Sequence, residues 1–391
     1  MNYRFKVYNP CWQSVDVAAD WGFSKDSWTN DLSIALSQKF KIAAVRAYYN
    51  RTWVASYDPA TCHGDLRSFD LVLISDAEYY SQQQITEWCA ELGITNYLLA
   101  LGGRTPTDNI DPDRMIYRHY WIPQYTSRNS FVDTSGPNKP FLFDALLGAR
   151  RPNRDYIMMG LTKTGLLDRS LVTYRDCFPG AVINNQNTEF AKIFSDTKLQ
   201  WPYVSPHLDP AWEVAPVVNN QISFVTPVDI YSRSYYSILA ETLGTGNGFF
   251  FSEKSIKAFF AQRIFVLFGN QYHLQRLRDL GFKTFGAVID ESYDNNPLDF
   301  ERFEMALHQL ELLARQDPAH VQQELRPVLE HNHQRLFSIV AETQAQMIRM
   351  VRAHTPAKCW SLTKLLSYAT VPLISNKLLS IRTGVIARVF P

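Results

Sequence analysis

The segment Ser237-Ile-Leu-Ala-Glu241-Thr242, followed by Gly244-Thr-Gly-Asn-Gly248, Phe249-Phe-Phe-Ser-Glu253-Lys254-Ser255-Ile-Lys257 and Arg263-Ile-Phe-Val-Leu-Phe-Gly269, decides how this chain is read. An apolar run ending in a carboxylate, a glycine-rich loop, a helix opening on Glu-Lys and a second apolar run predict a strand, loop, helix and strand. The spacing places the strands near Tyr235 to Ala240 and Ile264 to Phe268, with a helix from Ser255 to Ala261. In an open α/β sheet, polar groups at strand carboxyl ends and helix amino termini are where nucleotides bind. The same letters also suit an ordinary helix, capped by Ser252 or Ser255 with Glu253 favouring the helix dipole.

Working outward, the pattern repeats. Pro140-Phe-Leu-Phe-Asp-Ala-Leu-Leu147 predicts a strand, residues 156 to 166 a helix, Leu171 to Tyr174 a strand and Tyr272 to Leu280 a helix. Upstream, Phe69 to Ser75 and Asn96 to Leu101 read as strands flanking a helix from Ser81 to Leu92, and Asn30 or Asp31 could cap a helix through Lys39. The polar stretch from residue 125 to 139 reads as a linker. After Leu298 two helical stripes follow: Phe303, Leu307, Leu310 and Leu313, then Leu325, Leu329, Leu336, Phe337 and Val340. The expected fold class is α/β, with two Rossmann-like domains over residues 1–130 and 140–330 and C-terminal helices with a basic tail over 331–391.

Composition supports a globular chain. Of 391 residues, 46 % are hydrophobic and 20 % charged, which excludes disorder, collagen and a coiled-coil rod. The 39 basic and 38 acidic side chains nearly cancel, but no acidic residue follows Glu342, whereas Arg349, Arg352, Lys358, Lys364, Lys377, Arg382 and Arg388 do. Residues 1–342 therefore carry a net −6 and the last 49 a net +7. In the tail, Ile374, Leu378, Ile381, Val385 and Val389 share roughly one helical face, which suits either an anionic membrane surface or docking on the first domain. Five scattered cysteines, no signal-peptide h-region and no long apolar run lead to the expectation of a cytoplasmic protein, free or peripheral to a membrane.

Three arginines crowd one turn in Gly148-Ala-Arg150-Arg151-Pro-Asn-Arg154, a forked cationic site suited to phosphate oxygens or a solvated loop pairing Asp155 or Asp168. Tyr174 ends the next strand and could pack on a base or on the sheet edge. Asp76 and Glu78 follow an apolar strand in Ser75-Asp-Ala-Glu78, with helix capping as the alternative for Asp76. Gly102-Gly103-Arg104 reads as a tight turn, and Asp111-Pro-Asp113 as a turn rather than a metal-binding Asp-x-Asp. His331 and His333, two apart on a helix, cannot share a face, so no metal site is expected.

Glu241, Phe251-Ser-Glu253-Lys254-Ser-Ile-Lys257 and Arg263 to Gly269, with Gly281-Phe-Lys-Thr-Phe285, Asp290-Glu291-Ser-Tyr293-Asp294 and Glu330-His331-Asn332, resemble the donor-site signature of fucosyltransferase-like GT-B glycosyltransferases over about residues 140 to 340. The sequence departs from that signature at Thr242, where the family has Asn, at Ser252, where it has Thr, and in its longer glycine loop. The resemblance implies transfer of a sugar from a nucleotide-diphosphate sugar to a glycan, lipid-linked or nucleic-acid acceptor, with no tightly bound cofactor or metal. It implies that Glu241, Glu253, Lys254 and Lys257 line the donor site, that Arg150 or Arg154 meets the pyrophosphate, and that Asp76 or Glu78 supplies the general base. A DNA-modifying glycosyltransferase and a catalytically degenerate binding protein of the same fold are the rival expectations.

Overall fold

The computed structural model describes residues 42–47, 67, 70–76, 82–104, 111–119, 121–126, 129–148, 150–174, 202–209, 225–246 and 248–354. Glu78, the helix expected near residues 31–39 and the tail from 358 lie outside the described residues.

The first part of the chain supplies β1 (Ile42–Ala47), β2 (Leu71–Asp76), α1 (Gln82–Glu91), β3 (Tyr97–Leu101), β4 (Gly103–Arg104), β5 (Met115–Tyr117) and α2 (Trp121–Thr126). A parallel sheet forms in the order β1-β2-β3-β5. Side chains alternate across a strand, so β2 presents Val72 and Ile74 to one face and Leu71 and Leu73 to the other. The first face packs on Ile85, Trp88 and Cys89 of α1. Both faces of a parallel sheet need cover, which explains the unbroken apolar run Leu71–Ile74.

The second part adds β6 (Phe141–Leu147), α3 (Pro152–Lys163), β7 (Ser170–Tyr174), β8 (Tyr203–Val204), α4 (Val228–Tyr231), β9 (Ser234–Ala240), β10 (Phe249–Phe250), α5 (Glu253–Phe260), β11 (Ile264–Phe268), α6 (His273–Asp279), α7 (Asp299–Leu313) and α8 (Pro318–Ala353). Its sheet runs β11-β9-β6-β7-β8, with β8 antiparallel at one edge and the other four strands parallel. From central β6 the chain moves outward through β7 and β8, then returns to the other side of β6 for β9 and β11. The point where that direction reverses lies between β6 and β9.

Near the amino ends of β9 and β11, Arg263 pairs with Asp144 at 2.7 Å, both buried, and donates to the Ser234 and Tyr231 carbonyls. Ser234 and Ser237 hydroxyls complete the carboxylate's partners. Burial raises the Asp144 pKa against the pull of Arg263. The partners come from the amino ends of β9 and β11 and the middle of β6 and β9, which makes the cluster a polar clasp within the sheet.

Two features join the sheets. Antiparallel β4 and β10 pair Arg104 with Phe249 and Gly103 with Phe250, so the backbone just after β3 is bonded to the backbone just before α5. The long helix α8 packs Val321, Leu325, Leu329, Leu336 and Ile339 into the second-sheet core and carries Met347, Met350 and Val351 onto the second face of β2 and β3.

The structure corrects several expectations. Gly103-Arg104 is a strand rather than a tight turn, because β10 supplies hydrogen-bond partners from far along the chain. Helix α3 starts at Pro152, four residues earlier than its apolar spacing suggested, since proline suits a first turn that needs no N–H donor. Phe337, assigned to the second apolar stripe, is 38 % exposed. Helix α8 runs unbroken through residue 330, where a domain boundary was drawn. The Asp111 turn forms as expected, with the Asp113 N–H donating to Asp111 Oδ1 at 3.0 Å. Among the described residues no helix is long and apolar enough to cross a membrane.

Candidate functional site

The reversal point between β6 and β9 brings two turns together. Asn153, in the first turn of α3, is 1 % exposed, and its Nδ2 donates to the carbonyls of Glu241 at 3.0 Å and Phe268 at 2.9 Å. One carboxamide thus ties together the carboxyl ends of β9 and β11. Gly244 lies so close to Asn153 that a Cβ there would collide with it. Next to this tie, the Arg151 guanidinium donates to the Thr242 carbonyl and Lys254 Nζ donates to the Thr242 hydroxyl at 3.1 Å. Two cations, one from the N-cap of α3 and one from the first turn of α5, therefore converge on one residue.

Helix α5 opens here with Ser252 as its cap, the hydroxyl accepting from the Lys254 N–H at 3.3 Å. Glu241 is fully buried. Its carboxylate accepts from the Ser252 and Ser255 hydroxyls and from the Thr242 N–H at 3.2 Å. Of the two serines read as caps, Ser252 caps the helix, and both hydroxyls donate to the buried Glu241 carboxylate. Glu241 acts as an internal brace that holds the start of α5 to the end of β9.

Glu253 and Lys254 form an ion pair at 2.7 Å and are only partly exposed. Burial alone would raise the Glu253 pKa, but the Lys254 and Lys257 ammonium groups outweigh it and hold the carboxyl at about 2. Burial pushes the Lys257 ammonium down to about 8, against the pull of Glu253 and with a push from Lys254. Around Thr242 the charged groups are Arg151 and Lys254, with Lys257 coupled to them through Glu253, against the Glu241 and Glu253 carboxylates, an excess of one positive charge that suits phosphate oxygens.

The remaining expected residues sit elsewhere. Arg150 pairs with buried Asp155 at 3.0 Å, and the Tyr174 hydroxyl donates to the same carboxylate at 2.6 Å. Tyr174 is fully buried, so its ring has no open face for a base and belongs to the core. Arg154 is also buried, at 5 % exposure. Asp76 occupies the last position of β2, at the carboxyl end of the first sheet, in register with Ala47. His331 and His333 are engaged by the backbone carbonyls of Gly281 and Phe260. Among the described residues no group of three or more His, Cys, Asp or Glu side chains could hold a metal ion.

Sequence reasoning found the arginine turn but favoured Arg150 and Arg154 over Arg151, the one that reaches Thr242. It did not single out Asn153, Asn270 or His273. Asn270 follows the Gly269 that ends the β11 motif, and its position just beyond a strand carboxyl end was the available signal.

Comparison of the chain with protein-family models, with curated proteins and with solved structures gives no match.

Proposed function

We propose that the chain is a glycosyltransferase of the GT-B kind, moving a sugar from a nucleotide-diphosphate sugar to an acceptor hydroxyl. The observation that carries this reading is the convergence of Arg151 and Lys254 on Thr242 at the reversal point of a doubly wound sheet. Departure of a nucleoside diphosphate develops negative charge on the leaving oxygens, and cations fixed beforehand by the fold stabilise it without reorganising. The β4–β10 pairing supports the two-sheet arrangement, because it holds the carboxyl side of β3 against the entrance to α5. An acceptor bound on the first-sheet side would find Asp76 at a strand carboxyl end, a position suited to a general base.

Arg151→Ala and Lys254→Ala should each weaken nucleoside diphosphate binding by roughly 1.5–3 kcal/mol in titration calorimetry, the scale of a lost charged hydrogen bond. Unchanged affinity in both variants, with intact circular dichroism, would overturn the donor-site assignment. Binding without transfer from any nucleotide sugar would favour a catalytically degenerate binding protein. Since side chains supply the positive charge, transfer in excess EDTA should stay within a few-fold of the untreated rate.

A further inference from the structure

Asn270 and His273, on the turn after β11, are each 1 % exposed, yet part of their hydrogen-bonding capacity is unused. Asn270 Nδ2 donates to the Thr245 carbonyl at 3.1 Å. Its Oδ1, and both ring nitrogens of His273, have no hydrogen-bond partner among the described residues. Buried polar atoms are seldom left unmade, and three on two neighbouring side chains mark a place built for something else to bind.

The surroundings limit what that ligand can be. The His273 ring lies 4.9 Å from the ring of Phe249, and the Arg276 guanidinium lies 5.7 Å from the centroid of that same ring. Burial lowers the His273 pKa, against the pull of Glu241 and Asp294 and with a push from Arg276. Both carboxylates are already engaged, Asp294 by the Leu274 and Gln275 N–H groups at 2.9 Å and Glu241 by the α5 serines. What remains is one N–H donor, one ring-nitrogen acceptor and one amide-oxygen acceptor beside an aromatic wall. A phosphate would meet two carboxylates and an acceptor oxygen, with the single cation nearby among the described residues, Arg276, lying over the Phe249 ring. A hydroxyl both donates and accepts, and matches the unused set.

The glycine-rich loop links this socket to the cation pair. Thr242 at its start meets Arg151 and Lys254, and Thr245, three residues on, meets Asn270. We propose that Asn270 and His273 bind the hydroxyls of a sugar joined to the diphosphate held at Thr242, either the transferred sugar or the ribose, with entry past Thr245. This inference rests on the donor-site reading above.

The test is calorimetric titration of the full chain with UDP and GDP, their 2′,3′-dideoxy analogues, UDP-glucose and GDP-mannose. For His273→Phe and Asn270→Leu the expected result is a selective loss of about tenfold or more in affinity. Loss confined to the hexose conjugates assigns the socket to the transferred sugar. Loss shared by conjugates and diphosphates but absent from the dideoxy analogues assigns it to the ribose. His273→Gln, which keeps a donor and an acceptor, should retain most of the affinity and guards against a variant that fails to fold. An equal fall for every probe would mark a structural role and overturn the proposal, as would no fall at all. A wild-type chain that binds none of the probes would overturn the donor-site reading, and this inference with it.

Discussion

The carboxamide nitrogen of Asn153 donates to the carbonyl oxygen of Glu241 at 3.0 Å, and through that bond the turn after β6 is fastened to the end of β9. The same nitrogen reaches the Phe268 carbonyl at 2.9 Å, so one side chain ties the carboxyl ends of β9 and β11 to the start of α3. The candidate donor site is built around this point.

Asn153→Leu should therefore destabilise the protein by about 1–3 kcal/mol, because the Glu241 carbonyl loses the Asn153 donor and the Phe268 carbonyl is left with the Glu241 N–H. Urea denaturation followed by circular dichroism measures this. A change below about 0.5 kcal/mol would show that the carbonyls find other partners.

Helices α3 and α7 meet at Gly160, where an added Cβ would lie 2.5 Å from Leu307 Cδ1 and 2.7 Å from Cδ2. Gly160→Ala should cost roughly 1–3 kcal/mol through overpacking. Gly136→Ala, at a position with nothing within 4 Å of the new methyl, should stay within about 0.5 kcal/mol of wild type. Thermal melting of the two variants side by side should separate them clearly, and equal melting temperatures would refute the close approach.

The Glu253–Lys254 pair makes stability depend on pH. Glu253 has a pKa of about 2 in the folded chain against an ordinary 4.5, so the folded state binds fewer protons between those values. Its stabilisation is complete above about pH 4.5 and is lost as the pH falls toward 2. Lys254→Met should accordingly be less stable than wild type at pH 7, with the difference closing between pH 4.5 and 2. Urea titrations across that range report it, and a difference constant with pH would contradict an ionic origin.

The tail prediction follows from sequence. Lys358, Lys364, Lys377, Arg382 and Arg388 lie there with no acid, and a basic residue near an anionic membrane contributes about 1 kcal/mol. The full chain should cosediment with phosphatidylglycerol vesicles at low salt, less at high salt, and not at all when it ends at residue 357. A full-length chain that ignores vesicles, with a truncated one that unfolds, would make the tail structural instead.

Local pattern was enough to locate β2, α1, β3, β6, β7, β9 and β11, because buried parallel strands are short apolar runs and an amphipathic helix repeats every three to four residues. The stripe Phe303, Leu307, Leu310 and Leu313 is buried as its spacing required. The start of α5 was legible too, since a capping serine followed by Glu-Lys is a local arrangement. Choices among equivalent residues were not legible. Nothing local distinguishes Arg151, which reaches Thr242, from Arg150, which turns to Asp155; that depends on β6 lying beside β9. Gly103-Arg104 becomes a strand only because β10 lies alongside it. Met347, Met350 and Val351 look like any helix-face residues until the fold lays the end of α8 on β2 and β3. The unused atoms of Asn270 and His273 are likewise a property of enclosure. Periodicity and capping are written within a few residues of sequence, whereas strand order brings together groups a hundred residues apart, and only the tertiary structure decides which of them meet.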